Sequence, residues 1–297
     1  MSYLILEDVV SYFECKTKPI LVRYGPGPRV HYHTGLIDRP SAGASIADLR
    51  RTLVDGQELM LREAAEAWNA PANLTGEILD VGCGLGGGAI FWAQEFGAQV
   101  TAVTCVPSHA NHVANFATAA GVGLQVETLV CDAAVVPGEN RFDAIVAVDS
   151  SGYLPRREWL TRMAALLRPG GSIFIIDCFL EDASYANLFN SHWRTRIGTL
   201  DEYFDAARES GLRTERVVDV TDRTIHFWTT TLKLIEAEAA QAKGPKKSRY
   251  VASSKAHEHV RGGLSGGGLR YAMLAFSKSA EKRARAQPAL ATAEASP

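Results

Sequence analysis

The chain has 297 residues, of which 46% are apolar and 22% are charged, and its formal net charge at pH 7 is −2. This composition is typical of a globular protein large enough for one α/β domain with additions, and nothing in it indicates a nucleic-acid partner. No apolar run approaches the roughly 18 residues of a membrane span, and the start lacks a secretory signal, so we expect a cytoplasmic protein without a membrane partner.

The N-terminal part predicts two helical stretches. Residues 1 to 40 predict a short helical start and then a loop with prolines at 19, 26, 28 and 40. From 45 to 69 the apolar residues recur at helical spacing after Ser45, a residue type that caps helix N-termini. We expect an amphipathic helix here, ahead of a core sheet.

Apolar strands then alternate with helical patterns. The strands are predicted at 77–82, 99–105, 124–130, 142–148 and 171–177. Continuous apolar strands of this kind indicate a mostly parallel sheet covered on both faces. Beyond them the chain predicts an irregular aromatic segment at 178–198, a helix near 199–210, a strand near 213–220, a helix at 221–242, a connecting segment rich in Lys and Gly at 243–267, a last strand "GLRYAMLAFS" and a disordered tail from 279.

Five cysteines are scattered along the chain and never spaced as CxxC. Disulfide frameworks and zinc sites need paired or clustered ligands, so neither is indicated. We expect free thiols and no metal centre built from protein side chains.

A glycine cluster follows the first predicted strand. The stretch "ILDVGCGLGGGAIFWA" (78–93) passes Asp80, Gly82, Gly84 and Gly86 and continues as a helix. Such a turn presents backbone amides to a ligand lying over the carboxyl ends of parallel strands. A dinucleotide site would place an acid at the end of the next strand, but that strand ends at Thr104, which disfavours this alternative.

The same stretch strongly resembles the first motif of the Rossmann-like S-adenosylmethionine-dependent methyltransferases. The resemblance continues in order through "VCDAAVVP" (130–137), "FDAIVAVDS" (142–150) and "LLRPGGSIFIID" (166–177). It implies an α/β fold with a doubly wound sheet of seven strands, parallel except for an antiparallel last strand. The implied segments are a helical N-terminal cover over the substrate (1–70), the methyltransferase domain (71–278) with insertions over the active site at 178–198 and 221–267, and the disordered tail (279–297).

In that family the glycine turn holds the cofactor S-adenosyl-L-methionine. The resemblance implies that Asp80 orients the turn or reaches the methionine amine, and that Asp132 accepts a hydrogen bond from the adenine. The stretch "VTCVPSH" (103–109) looks like the ribose-side motif of cyclopropane-fatty-acid synthases, with His109 in place of glutamine and Val106 in place of serine. The implied cofactor-binding residues are Asp80, Gly82, Gly84, Gly86, Thr104, Cys105, His109, Asp132 and Ala133.

Basic residues indicate the acceptor. Between positions 15 and 33 the chain has Lys, Arg and His residues and no acid, which suits a polyanionic head group or, alternatively, a solvated loop. Aromatic residues of the later segments can surround a transient cation, although core packing is the commoner role for each of them. The candidate substrate-binding residues are Arg23, Arg29, His31, His33, Tyr185, His192, Trp193, Arg196, Trp228 and Arg270.

Three further stretches resemble the flanking regions of prenyl diphosphate C-methyltransferases: "YFECKTKPILVRYGPGPRVHYHTG", "NLFNSHWRTRIGTLDEYFDAA" and "VVDVTDRTIHFW". Those enzymes methylate an alkene carbon and then remove a proton from the carbocation. The resemblance implies a small prenyl diphosphate of about geranyl length as substrate, Mg²⁺ bound with the diphosphate, and a homo-oligomer. The catalytic candidates are Asp149 as the base, where the family carries glutamate, Glu181 as the second candidate, and Tyr153.

Other functions stay open. A cyclopropane-synthase-like enzyme or a small-molecule N- or O-methyltransferase would share the cofactor motifs, and so would a cofactor-binding subunit that has lost activity. Asp149 also fits a structural acid that contacts the methionine end of the cofactor.

Overall fold

A computed structural model describes residues 6–39 and 45–280 of the chain. Pro40, the first five residues and the predicted tail from 281 onward lie outside these described residues. The helices within them are α1 (Leu6–Tyr24), α2 (Ile46–Ala67), α3 (Ala70–Asn73), α4 (Gly87–Phe96), α5 (Pro107–Ala119), α6 (Arg156–Leu166), α7 (Ala186–Trp193), α8 (Leu200–Glu209), α9 (Thr221–Ala240) and α10 (Pro245–Gly266). The strands are β1 (Glu77–Val81), β2 (Gln99–Thr104), β3 (Val126–Val130), β4 (Phe142–Val148), β5 (Leu167–Leu180), β6 (Leu212–Asp219) and β7 (Leu269–Lys278).

The strands form one sheet in the order β3-β2-β1-β4-β5-β7-β6. Strands β1 to β5 pair in parallel, and β7 runs antiparallel to both β5 and β6. The predicted doubly wound α/β sheet with an antiparallel last strand is therefore confirmed. The strand order changes direction between β1 and β4, which is where open α/β sheets bind their ligands.

Both faces of the sheet are buried, as the apolar strands predict. Successive residues of β1 point to opposite sides, so Ile78 packs with Trp92 and Phe174 on one face while Leu79 packs on the other. A third cluster joins Ile20 of α1 to α2 and α9. The N-terminal helices are thus fixed to the body of the protein by apolar contacts.

The helix predicted after Ser45 is confirmed as α2. The Ser45 side chain accepts a hydrogen bond from Asp48 N, and the Asp48 side chain accepts one from Ser45 N, which forms a capping box. The helices predicted near 199–210 and at 221–242 correspond to α8 and α9.

Two predicted loops are helical instead. Helix α1 continues through Pro19 to Tyr24, because burial of Ile20 and Tyr24 outweighs the helix-breaking tendency of proline. The segment 243–267, predicted as a connection, forms α10 from 245 to 266. Its buried residues Ala256, Val260, Gly263 and Leu264 follow helical spacing, a pattern that the surrounding Lys and Gly residues conceal.

The chain after Tyr24 passes close to α2 at a glycine, and this contact is testable. A Cβ atom on Gly35 would lie 2.5 Å from the carbonyl carbon of Gly56, whereas one on Gly262 in α10 would meet nothing within 4 Å. We expect Gly35→Ala to lower the free energy of unfolding by about 1–3 kcal/mol. Gly262→Ala should be neutral or stabilising by up to about 1 kcal/mol. Equal stabilities of the two variants in chemical denaturation would contradict the close contact.

Candidate active site

A cavity of about 380 Å³ lies over the carboxyl ends of the parallel strands. On the sheet side it is lined by residues that follow β1, β2, β3 and β4, including the glycine turn. The opposite side is formed by α1, the segment 30–34, α7, α9 and α10. The cavity is therefore at the point where the strand order changes direction.

The glycine turn begins where β1 ends. Gly82, Gly84 and Gly86 all have positive φ angles, of 72°, 54° and 87°, which side-chain-bearing residues rarely adopt. A Cβ atom on Gly82 would lie 2.5 Å from the Ser150 Cβ. Glycine is therefore required at these positions. The turn leads into the N-terminus of α4 beside the cavity.

Asp80 lies beneath this turn with an unpaired oxygen. The residue is 4% exposed, and its Oδ2 atom has no hydrogen-bond partner. Burial raises the pKa of Asp80 to about 7, because the charged form is poorly solvated there. A cationic ligand group next to Oδ2 would satisfy the oxygen and favour the ionised form.

His109 presents a second unpaired atom to the cavity. The Thr17 hydroxyl donates to the carbonyl of Phe13 at 2.9 Å, so His109 Nε2–H donates to Thr17 Oγ1, also at 2.9 Å. Nδ1 is then an acceptor, and it is buried without a partner. Burial lowers the pKa of His109 to about 4, so the ring is neutral. It suits a ligand hydroxyl.

The ends of β2 and β3 complete this half of the cavity. Thr104 and Cys105 line it, and Thr104 Oγ1 accepts a hydrogen bond from Val106 N at 3.1 Å. Asp132 accepts one from Ala134 N at 2.9 Å, which fixes its carboxylate at the start of a short 3₁₀ turn beside Ala133. Each strand end thus contributes a polar group near the glycine turn.

The carboxylate of Asp149 follows β4 and is half-buried in the cavity wall. One oxygen accepts a hydrogen bond from Thr34 N at 2.7 Å, and the other accepts one from the hydroxyl of Tyr271 in β7. Burial, together with the nearby Asp177, raises the pKa of Asp149 to about 7. The residue links the N-terminal segment to the sheet.

Aromatic rings enclose the other half of the cavity. Phe13 and Tyr153 lie 5.4 Å apart between their ring centroids, and Trp193 and Trp228 lie 5.7 Å apart. The Tyr153 hydroxyl donates to the carbonyl of Trp193 at 2.8 Å. Most of this surface is apolar and faces the strand ends.

Four basic side chains line the cavity beside these rings: Lys16, Arg23, His192 and His257. Arg23 is paired with Glu238 at 2.6 Å. Lys16 has no ion-pair partner within the described part of the chain, and its Nζ lies 5.2 Å from the centroid of the Tyr12 ring. Burial and the neighbouring Arg23 lower the pKa of Lys16. Its charge is therefore available to a ligand.

The histidines of this group are neutral. Burial, with Lys16 nearby, lowers the pKa of His192 to about 4 and that of His257 to about 3. His257 packs its ring 5.4 Å from both Trp193 and Trp228.

The structure brings most of the sequence-predicted site residues to this one cavity. Those that line it are Asp80, Gly82, Gly84, Thr104, Cys105, His109, Asp132, Ala133, Asp149, Tyr153, Arg23, His31, His33, His192, Trp193 and Trp228. Sequence reasoning missed Thr34, Asp177 and His257 as site residues. Of these, only His257 could have been noticed in the sequence, as a histidine in the segment 243–267 that was predicted as a connection.

Six predicted residues lie elsewhere. Gly86 caps α4 just behind the turn, and Arg29 is held at the surface by Gln94 and Glu58. Glu181 pairs with Arg270 at 2.8 Å, and both line a second pocket outside the cavity. Tyr185 packs 4.7 Å from the ring of His259, and the backbone carbonyl of Arg196 accepts a hydrogen bond from Arg156. The geometry gives the last five no contact with a ligand in the cavity.

Comparison with known proteins identifies the chemistry. A family model described as "Methyltransferase domain" matches residues 78–171, the part that contains the glycine turn and the ends of β1 to β4. The chain is a class I S-adenosylmethionine-dependent methyltransferase. Its cofactor is S-adenosyl-L-methionine.

The chain is similar to three known methyltransferases. The methyltransferase is 25% identical over 243 residues to geranyl diphosphate 2-C-methyltransferase of Streptomyces lasalocidi, covering 75% of this chain and 78% of the relative. It is 32% identical over 182 residues to 27-O-demethylrifamycin SV methyltransferase of Amycolatopsis mediterranei, covering 58% and 66%. Geranyl diphosphate C-methyltransferase of Streptomyces coelicolor A3(2), solved with Mg²⁺, geranyl-S-thiolodiphosphate and S-adenosyl-L-homocysteine, superposes with a TM-score of 0.76 at 20% identity over 92% of this chain and 97% of that one.

The unpaired atoms fit the cofactor. Asp80 Oδ2 would accept from the α-ammonium group of the methionine half, and His109 Nδ1 would accept from a ribose hydroxyl. The open side of the glycine turn leaves room for the ligand, because a Cβ on Gly84 would meet nothing within 4 Å.

The raised pKa of Asp80 predicts a pH-dependent affinity for the cofactor. The ammonium group pairs with the ionised carboxylate, so binding of S-adenosyl-L-homocysteine should weaken about tenfold per pH unit below about 7 and level off above it. Asp80→Asn should bind more weakly and remove this dependence. Isothermal titration calorimetry would measure both, with Glu181→Gln, outside the cavity, as the matched control. A wild-type affinity that does not change with pH would contradict the contact.

Proposed function

We propose that this methyltransferase methylates an alkene carbon of a prenyl diphosphate of about geranyl length. One observation carries the proposal: an aromatic cavity beside the cofactor turn has the unpaired cation Lys16 in its wall. An amphiphile with an anionic head and an apolar, unsaturated tail matches both parts. The resemblance to geranyl diphosphate C-methyltransferases supports the same acceptor.

Lys16 would hold the head group. A half-buried ammonium without a carboxylate partner is stabilised by an incoming phosphate, and hydrogen bonds between charged groups are stronger than neutral ones. His192 and His257 add N–H donors or acceptors beside it, while Arg23 is already neutralised by Glu238. The predicted Arg29 lies outside the cavity and pairs with Glu58, whereas His31 contacts the same carboxylate through Nε2 and lines the cavity.

The aromatic rings would hold the tail. S-adenosyl-L-methionine supplies an electrophilic methyl group on sulfur. An alkene is a weak nucleophile, so the rings of Phe13, Trp193 and Trp228 must align it with that methyl and exclude water. Their faces also stabilise a carbocation, by about 0.5–2 kcal/mol each.

Mg²⁺ would enter with the diphosphate rather than occupy a site of its own. No group of three or more His, Cys, Asp or Glu side chains able to hold a metal exists among residues 6–39 and 45–280. Diphosphate oxygens are ligands that Mg²⁺ prefers, and it often keeps its remaining waters. The same described residues contain no helix long and apolar enough to cross a membrane.

A second candidate is a small-molecule O-methyltransferase. It is favoured by the 32% identity to the rifamycin-type O-methyltransferase. Lys16 counts against it, because a neutral hydroxyl acceptor has no need of an unpaired cation in the cavity wall.

A panel of acceptors distinguishes the two. Purified enzyme with methyl-labelled S-adenosyl-L-methionine should transfer label to geranyl diphosphate or a neighbour in a series of isoprenyl, geranyl, farnesyl and geranylgeranyl diphosphates. After dephosphorylation, mass spectrometry should place the added methyl on carbon. Labelling of phenolic or macrolide hydroxyls, with none of any prenyl diphosphate, would favour the O-methyltransferase instead.

Lys16→Met tests the head-group contact. Loss of a charge-assisted hydrogen bond costs about 1.5–3 kcal/mol, so KM for the prenyl diphosphate should rise about 10- to 150-fold while affinity for S-adenosyl-L-homocysteine stays unchanged. Lys18→Met, an exposed change on the same helix, is the matched control and should have no effect. An unchanged KM in Lys16→Met, or an equal loss of cofactor affinity, would overturn this assignment.

A further inference from the structure

The segment 30–34 lines the cavity between the glycine turn and Asp149. At one end it touches the glycine turn, because a Cβ atom on Gly87 would lie 2.6 Å from both Val30 O and His31 Nδ1. At the other end Thr34 N donates to Asp149 at 2.7 Å. His33 lies between these two fixed points and lines the cavity.

His33 presents an unused lone pair there. Its Nδ1–H donates to the carbonyl of Thr34 at 2.8 Å, which fixes the tautomer and makes Nε2 the acceptor. Nε2 is buried and has no hydrogen-bond partner. Gln57 Nε2 donates to the His33 carbonyl at 2.7 Å and holds the backbone in place. The ring is therefore held in place and neutral, and one of its nitrogens has no partner.

The carboxylate of Asp149 is held by the frame of the site. Each of its two oxygens already accepts a hydrogen bond, from Thr34 N and from Tyr271 Oη. Both donors belong to the frame of the site, the first to the segment that carries His33 and the second to β7. The carboxylate thus has a positioning role with respect to that segment.

We propose that Nε2 of His33, and not the carboxylate of Asp149, removes the proton that completes methylation at carbon. The proposal rests on the proposed function and names the base of that same site. His33 is then a catalytic residue, and Asp149 is a positioning residue that acts through Thr34.

The electron balance is complete without another reactant. The alkene π pair forms the new C–C bond to the methyl carbon as the S–C bond breaks, and the bonding pair stays on the sulfur of S-adenosyl-L-homocysteine. The neighbouring carbon becomes a carbocation. The adjacent C–H pair then forms the new C=C bond, and the proton moves to His33 Nε2. The imidazolium returns it to solvent when product leaves.

The acidity of the ring suits this step in particular. Burial lowers the pKa of His33 to about 3. A base this weak would not ionise a hydroxyl acceptor, but a carbocation gives up its neighbouring proton even to weak bases. The site therefore fits alkylation at carbon better than O-methylation.

Two substitutions at position 33 test the two ring nitrogens separately. His33→Asn keeps a donor near the Nδ1 position and removes the acceptor at Nε2, whereas His33→Gln can return an acceptor there. We expect His33→Asn to lower kcat at least about 100-fold. It should also divert product to alcohols formed by water capture and to displaced alkenes, with S-adenosyl-L-homocysteine affinity unchanged. His33→Gln should partly restore the wild-type product ratio.

Controls separate the possible failures. His112→Asn on α5, outside the cavity, should keep both rate and product ratio. Asp149→Asn should lower the rate but leave the product ratio near wild type, because His33 still accepts the proton. If wild type forms a C-methylated product and His33→Asn gives the same rate and product ratio, His33 is not the base. If wild type methylates no prenyl diphosphate, the proposed function itself fails, and this assignment with it.

Discussion

The half-buried carboxylate of Asp149 joins the N-terminal cover to the sheet. A partly buried carboxylate is costly unless donors replace its lost water, and here the donors are the Thr34 amide and the Tyr271 hydroxyl. Tyr271 can reach it because β7 is antiparallel, so the first residues of β7 lie at the edge where β4 ends. Three distant parts of the chain meet at one acid. The segment that carries His33 is held at one end by that contact and along its length by Gln57.

Much of the fold could be predicted because its signals are local. Four apolar runs predicted β1 to β4 to within two residues of their observed bounds, and a fifth predicted the middle of the longer β5. Ser45 marked the start of α2. The glycine turn was equally legible, since positive φ at Gly82 and Gly84 requires the residue type that the sequence shows. Helix α10 could not be predicted, because its buried face has only four residues among many polar ones.

The acceptor half of the site could be predicted only in outline. The basic residues between 15 and 33 form one cluster in sequence, but folding separates them. Glu58, on α2, pairs with Arg29 and His31, and Glu238, on α9, pairs with Arg23. Among residues 6–39 and 45–280, this leaves Lys16 of the cavity wall without an ion pair. No local pattern announces such remote partners. The same applies to His33, because its role depends on Nε2, which stays unpaired when Nδ1 bonds the carbonyl of Thr34.

Helix α10 carries a consequence for how this scaffold changes over evolutionary time. It supplies His257 and Ser253 to the cavity from a part of the chain far beyond the last methyltransferase motif. Mutations there can change the shape of the acceptor part of the cavity without changing the strand ends that would bind the cofactor. One methyl-transferring domain can in this way acquire new acceptors. This accords with relatives that alkylate carbon in one case and oxygen in another.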